Sequence, residues 1–176
     1  MQEMLGLKKG IVKLVTHEDI WANSYNNEKS IILNAMGRDA IAIEHIGSTS
    51  IPGIKAKPII DISVGISYLE DIRKVEKIAK LLEATGYEWR RQSSNPDNYV
   101  FVKGPEEKRT IYLHLVEYEG VVWKNDLRFR DALTQNPELR EEYQIIKEKL
   151  AKEFPNDRES YTKGKVNFFE RVLSLA

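Results

Sequence analysis

Cysteine is absent from the 176 residues. That removes disulfides, thiolate nucleophiles and cysteine-ligated zinc or iron–sulfur sites from the available chemistry, and it fits a reducing compartment. No charge of one sign predominates: Lys plus Arg and Asp plus Glu number 27 each. From residue 101 onward the signs balance again, at 14 each, so the tail is not a basic arm. Without a net field or a basic stripe, neither nucleic acid nor a membrane surface is an expected partner. No apolar run approaches the ~18 residues that a membrane-spanning helix needs. The opening MQEMLGLKKGIVKLV has no apolar core leading to a cleavage site of small residues, so no secretory signal is expected. Internal repeats and low-complexity segments are missing too. A cytoplasmic globular protein is the expectation.

What is present is an ordinary globular composition, 41% apolar and 31% charged, at a length for which one domain spanning 1–176 is simplest. Thr16 followed three residues later by Asp19 resembles a capping box. Trp21, Tyr25, Ile32 and Met36 then recur at helical spacing, which predicts a helix over 17–36 ended by Gly37. Strands are expected at 40–46 and 58–66. An amphipathic helix over 69–85 carries Leu69, Ile72, Val75, Ile78, Ala79 and Leu82 on one stripe. Three further strands, 87–91, 98–103 and 109–117, are separated by turn residues, the last two reading as a hairpin. Helices then follow at 121–135, 137–153 and 158–174. Pro137 suits a first helical turn, where its missing N–H costs nothing. This order predicts an α+β layer structure with a mixed or mostly antiparallel sheet.

The stretch IEHIGSTSIPGIKAKPIIDISV (43–64) is the least ordinary. Alternation along 58–66 puts Ile60, Ile62, Val64 and Ile66 on one face and Ile59, Asp61, Ser63 and Gly65 on the other. On 109–117, Tyr112, His114 and Val116 share a face, so Asp61, Ser63 and His114 converge if the polar faces align. Glu117 falls on the opposite face from His114. Glycine permits a backbone in which consecutive N–H groups point at one anion, and the hydroxyls of Ser48, Thr49 and Ser50 add donors. Lys55 and Lys57 lie close by along the chain. The same four residues also make an ordinary tight turn. A P-loop is excluded, because no Gly-Lys-Ser/Thr follows a long glycine loop.

The run EHIGSTSIPGIKAKPIIDI resembles the signature of the GrpB-like family, small bacterial proteins similar in fold to the polymerase-β-type nucleotidyltransferases. YLHLVEYEG, WKNDLRFRDAL, NPELREEYQIIKEKLA and YTKGKVNFFERVL resemble later family blocks in order, so the likeness covers most of 16–175. It implies a nucleotidyltransferase-like α+β fold, a mixed or antiparallel sheet with helices packed on one side and a C-terminal helical section. In the wider superfamily a Gly-Ser turn holds nucleotide phosphates, and three acids on neighbouring strands bind two divalent cations. Carried over, Gly47 and Ser48 match the turn and Asp61 the first acid. Ser63 stands at the second acid position and His114 at the third. One carboxylate is too little to hold two divalent ions, so a two-metal mechanism is disfavoured. A one-metal reaction remains, with a nucleoside triphosphate completing the shell of Mg²⁺.

The resemblance thus implies Gly47, Ser48 and Lys165 at the phosphates, Asp61 at Mg²⁺, and Asp61 with His114 as the catalytic pair; Thr49, Ser50 and Lys57, beside the turn, complete the phosphate set, and Glu44, just before the turn, is the second Mg²⁺ candidate. Duller readings stand beside these. Asp61 can be a structural partner of Lys57 or Arg109, and His45 a satisfied structural histidine rather than a phosphate contact. Glu44 reads equally as an exposed strand residue. Arg128 and Arg130 read as a solvated helix face, and Trp21, Tyr25, Trp123, Phe129, Phe168 and Phe169 as core. The expected function is nucleotidyl or phosphoryl transfer to a small acceptor. The alternative, favoured by Ser63 and His114, is a catalytically degenerate nucleotide- or phosphate-binding module with a role in partner interaction.

Overall fold

A computed structural model describes residues 5–175; the first four residues of the amino-terminal stretch read above, and residue 176, lie outside the described residues. The elements run α1 (Ile20–Met36), β1 (Ala42–Ile46), β2 (Ile60–Ile66), α2 (Ile72–Glu83), β3 (Tyr87–Trp89), β4 (Tyr99–Lys103) and β5 (Ile111–Glu117). Four helices follow: α3 (Val121–Gln135), α4 (Pro137–Glu153), α5 (Arg158–Lys163) and α6 (Val166–Ser174). The strands form one sheet in the order β1-β2-β5-β4-β3. β2 and β5 are parallel and every other pairing is antiparallel, so the sheet is mixed, as expected. The β4–β5 pair is the predicted hairpin.

Alternation fixes the layers. Ile60, Ile62, Val64 and Ile66 are fully buried against Trp21 and Ile32 of α1 and Val75, Ile78 and Leu82 of α2. Each such side chain contributes about 1.5–3 kcal/mol by leaving water, so a one-residue slip of β2 would forfeit the whole row. The other face of β2 carries Asp61, Ser63 and Gly65. A Cβ on Gly65 would stand 3.2 Å from Trp123, which places α3 across that face near its far end. A second core joins Phe129, Tyr143 and Phe168 of the C-terminal helices to Ile51 and Ile54 in the β1–β2 connection. That core anchors the helical section beside the loop after β1.

Three helix expectations need correction. α1 starts at Ile20, and Asp19 at its N-cap makes no side-chain capping bond, so the Thr16 capping box does not form. α2 starts at Ile72, capped by Asp71, whose carboxylate accepts from the Arg73 N–H. Ile72 is 47% exposed, off the buried stripe, while Leu69 is buried ahead of the helix. The predicted 158–174 helix is two helices broken around Gly164, where a Cβ would lie 2.4 Å from Leu150 Cδ2. Close approach to α4 sets that break. No helix among the described residues is long and apolar enough to cross a membrane.

Candidate functional site

β1 ends at Ile46, which pairs with Asp61 on β2. Gly47 then turns at φ 69°, ψ −174°, a conformation that costs any L side chain. A Cβ there would also stand 2.6 Å from Asp61 Oδ2. The next three residues make a single 3₁₀ turn, closed by Ser50 Oγ donating to the Gly47 carbonyl at 2.6 Å. Ser48 Oγ donates to Tyr143 Oη of α4 at 3.4 Å. His45 Nε2 lies 3.0 Å from Thr49 Oγ1, and its ring stacks on Tyr25 at 4.8 Å. Burial pushes the His45 imidazole down to about 4, with Asp61 opposing and Arg130 adding to the fall. This is the satisfied structural histidine.

The turn forms one wall of a cavity of about 280 Å³. Lys57 enters from the segment leading into β2, Asp61 from β2 itself, and Tyr112 and His114 from β5. Tyr143, Arg158, Tyr161 and Lys165 close it from the helical section. The charge is lopsided. Lys57 Nζ and Lys165 Nζ sit 5.2 and 4.5 Å from the centre of the Tyr161 ring. Burial pushes the Lys57 amine down to about 7, the neighbouring Lys165 and Arg158 add to the fall, and Asp61 opposes it. Lys147, fully buried behind them, donates to the Lys55 carbonyl and is likewise pushed down to about 7, by burial and then by Lys165.

Arg158 is held in place by its other bonds: to Tyr112 Oη at 3.2 Å and to the carbonyls of Lys8 and Ile11 at 3.0 Å each. Its Nε is buried without a partner.

Asp61 and His114 face each other across the floor, Oδ1 to Nε2 at 3.9 Å, an ionic contact rather than a hydrogen bond. On its other side His114 Nδ1 meets the Asn98 amide at 3.1 Å. Burial works against charge on this imidazole, yet Asp61, with Asp126 of α3 behind it, lifts its pKa above the ordinary value. Burial pushes the Asp126 carboxyl up to about 6; His114 opposes and Asp61 adds. Ser63 pairs with His114 in the β2–β5 register. Its hydroxyl is buried without a partner.

Of the residues expected at a site, the cavity brings together Gly47, Ser48, Thr49, Lys57, Asp61, His114 and Lys165. Ser50 instead holds the turn closed. Glu44 stands off the cavity lining, its carboxylate taken by Arg130 at 2.7 Å. Arg130 is therefore a structural tie to β1 rather than a solvated residue. Lys55 pairs with Glu148 at 2.8 Å, and Arg109, weighed as a partner of Asp61, pairs with Glu88 at 2.9 Å. Among the described residues Asp61 is the one carboxylate lining the cavity, and no group of three or more His, Asp and Glu side chains could hold a metal ion. This donor set does not fit two protein-held divalent ions. Sequence reasoning missed Tyr112, Asp126, Tyr143, Arg158 and Tyr161. Only Tyr112 left a signal, because it shares the His114 face by simple alternation.

Comparison with known proteins adds a family. The family model described as GrpB protein matches residues 11–175. Glutamate-rich protein GrpB of Alkalihalophilus pseudofirmus is 39% identical over 174 residues, covering 97% of this chain and 99% of that protein. UPF0157 protein YqkA of Bacillus subtilis is 33% identical over 154 residues, 88% of this chain but 44% of that longer protein. The crystal structure of conserved protein GrpB from Enterococcus faecalis superimposes with a TM-score of 0.80 at 27% identity, over 91% of this chain and 94% of that one.

Proposed function

The chain belongs to the GrpB family, and on that premise we propose that its cavity binds the phosphate of a small phosphorylated molecule, nucleotides included. One observation carries this reading: Lys57, Arg158 and Lys165 line the same cavity near one another, with a single carboxylate among the described residues, Asp61, on its lining. Arg158, Lys165 and Lys57, whose amine is half charged near pH 7, face one carboxylate, so the pocket is short of negative charge. A bound phosphate supplies it, and charge-assisted hydrogen bonds of this kind contribute about 1.5–3 kcal/mol each. Ser48 and Thr49 add hydroxyls at the turn, where glycine lets the chain pass close to the ligand. Titration calorimetry with inorganic pyrophosphate tests the reading. Saturable binding that weakens in Lys165→Met and Arg158→Met is the expected result. No heat, with an unchanged thermal midpoint, removes it.

A second reading, group transfer, is favoured by the Asp61–His114 pair at 3.9 Å on the same cavity. A carboxylate and an imidazole beside bound phosphate are suited to take the proton of an attacking hydroxyl. A Mg²⁺ ion carried in by a nucleoside triphosphate would meet Asp61 as its protein ligand. Turnover of a triphosphate in the presence of Mg²⁺, lost in Asp61→Asn and His114→Gln, separates this reading from binding alone.

A further inference from the structure

Arg158 borders two depressions. Tyr112, Arg158 and Thr162 line the cavity and also line a larger, shallower groove of about 650 Å³ on their far side. The groove is chemically unlike the pocket. Its charges are already compensated: Lys9 by Glu106 at 2.6 Å, Arg90 by Glu88 at 3.2 Å, and Lys163 by Glu159 at 2.7 Å. Asp157 accepts from the Ser160 N–H and hydroxyl. What it leaves unclaimed is neutral and polar. The side chains of Ser93, Asn156 and Thr162 line it and make no hydrogen bond among the described residues. Among the described residues no aliphatic or aromatic side chain lines it apart from Tyr112.

Two of the three tyrosine rings on the cavity offer little to a nucleobase; the third, Tyr112, is tied by its hydroxyl to Arg158 at 3.2 Å and borders the groove as well. Tyr143 is stacked on Phe168 at 5.2 Å and has Lys147 over its ring at 4.9 Å. Tyr161 carries both Lys57 and Lys165. Base recognition draws about 1–3 kcal/mol from each stacked aromatic, and these two rings are already in use.

Resting on the phosphate-binding reading, we propose that the ligand is the phosphate ester of a polyhydroxylated molecule. Its phosphate sits among Lys57, Arg158 and Lys165, and its hydroxyl-bearing part crosses Arg158 into the groove. Arg158 joins the two subsites, because it lines both the cavity and the groove. Ser93 and Asn156 meet the hydroxyls from the far side.

Titration calorimetry on the full chain with orthophosphate, glucose 6-phosphate and AMP tests this. Glucose 6-phosphate is expected to bind about tenfold tighter than orthophosphate, and AMP no tighter than glucose 6-phosphate. Ser93→Ala and Asn156→Ala should erase most of that advantage while leaving orthophosphate affinity unchanged. Both residues are on exposed or half-exposed surface, outside the core, so folding is not at stake. AMP binding tighter than glucose 6-phosphate would overturn the proposal, as would equal binding of glucose 6-phosphate and orthophosphate, or groove variants that leave their ratio unchanged. Absence of binding by all three would overturn the phosphate reading itself, a different outcome.

Discussion

Gly47 and Asp61 are packed so closely that a methyl group on the glycine would stand 2.6 Å from Asp61 Oδ2. The turn and the acid are therefore one unit, fixed by the Ile46–Asp61 pairing that brings the end of β1 onto the start of β2. Any phosphate held at the turn lies beside that carboxylate. The three cations opposite must outweigh its repulsion.

Replacing Gly47 with alanine tests the unit. The left-handed backbone alone costs a non-glycine residue about 1–2 kcal/mol, and the Cβ would push Asp61 from its place. Gly53→Ala is the control, since Gly53 has φ 81° but nothing within 4 Å of its Cβ. Both variants are expected to lose about 1–2 kcal/mol in urea unfolding. Only Gly47→Ala should lose pyrophosphate binding, by about tenfold or more. Equal affinities in the two variants would mean that Gly47 serves the turn and not the pocket.

Lys57 gives the pocket a pH signature. Burial, with Lys165 and Arg158, holds its amine at about 7 in the folded chain against an ordinary 10.5. Between those values the unfolded chain binds a proton that the folded one has released, so stability from this group rises with pH from about 7 to 10.5. A bound phosphate restores the amine's charge. Binding at pH 8 is thus expected to take up protons, read as a dependence of the calorimetric heat on buffer ionisation enthalpy. Affinity should fall as pH climbs above 7. Lys57→Met should abolish most of the proton uptake, with Lys147 accounting for the rest; an unchanged uptake would assign it elsewhere.

His114 titrates in the opposite sense. Its folded pKa is raised, because Asp61 and Asp126 outweigh burial. The stability it contributes is fully present below the ordinary 6.5 and is lost as pH rises through the folded value. Asp61→Asn removes the nearest opposing charge, so burial should then pull the imidazole below its position in the parent chain. An NMR titration of the His114 ring reads this directly. A pKa that stays put would show that Asp126, not Asp61, sets the charge on the imidazole.

Much of this was legible beforehand, and the reason is period. The alternation of β2 gave away both its buried isoleucines and the convergence of Asp61, Ser63 and His114 from two parallel strands. Ser48, Thr49 and Lys57 are legible for another reason: they lie in or beside a glycine-hydroxyl turn that the family resemblance also marks. Arg158 and Tyr161 were not, because they reach the cavity from a helix some hundred residues later whose docking depends on Ile51, Ile54 and Phe168 packing together. Nothing local encodes that contact. Glu44 reads as a ligand candidate because a strand carboxylate beside a glycine turn looks available; only the fold reveals that Arg130 of α3 has already claimed it. The break at Gly164 was hidden likewise, since glycine inside a helical pattern marks a close approach only once Leu150 is known to be opposite.

Ser63 is where the chain departs most tellingly from the acid-bearing pattern. The residue is fully buried and its hydroxyl has no partner, which costs about 1–3 kcal/mol relative to a satisfied one. Deleting the oxygen removes that cost and leaves only a small void. Ser63→Ala is therefore expected to raise stability by up to about 1 kcal/mol in urea unfolding. Restoring the acid should do the reverse. A carboxylate at this enclosed position, beside His114 in the strand register, must be desolvated with only the His114 imidazole, already shared with Asp61 and Asp126, to meet it. Ser63→Asp should thus lose several kcal/mol, about the effective penalty for an ion in a protein interior, and gain no affinity for Mg²⁺. If Ser63→Ala is instead destabilising, the hydroxyl has a working partner, a water shared with His114 being the nearest candidate. If Ser63→Asp folds well and binds Mg²⁺, the acid-to-serine change has decided this chain's chemistry, and the enclosed geometry has not.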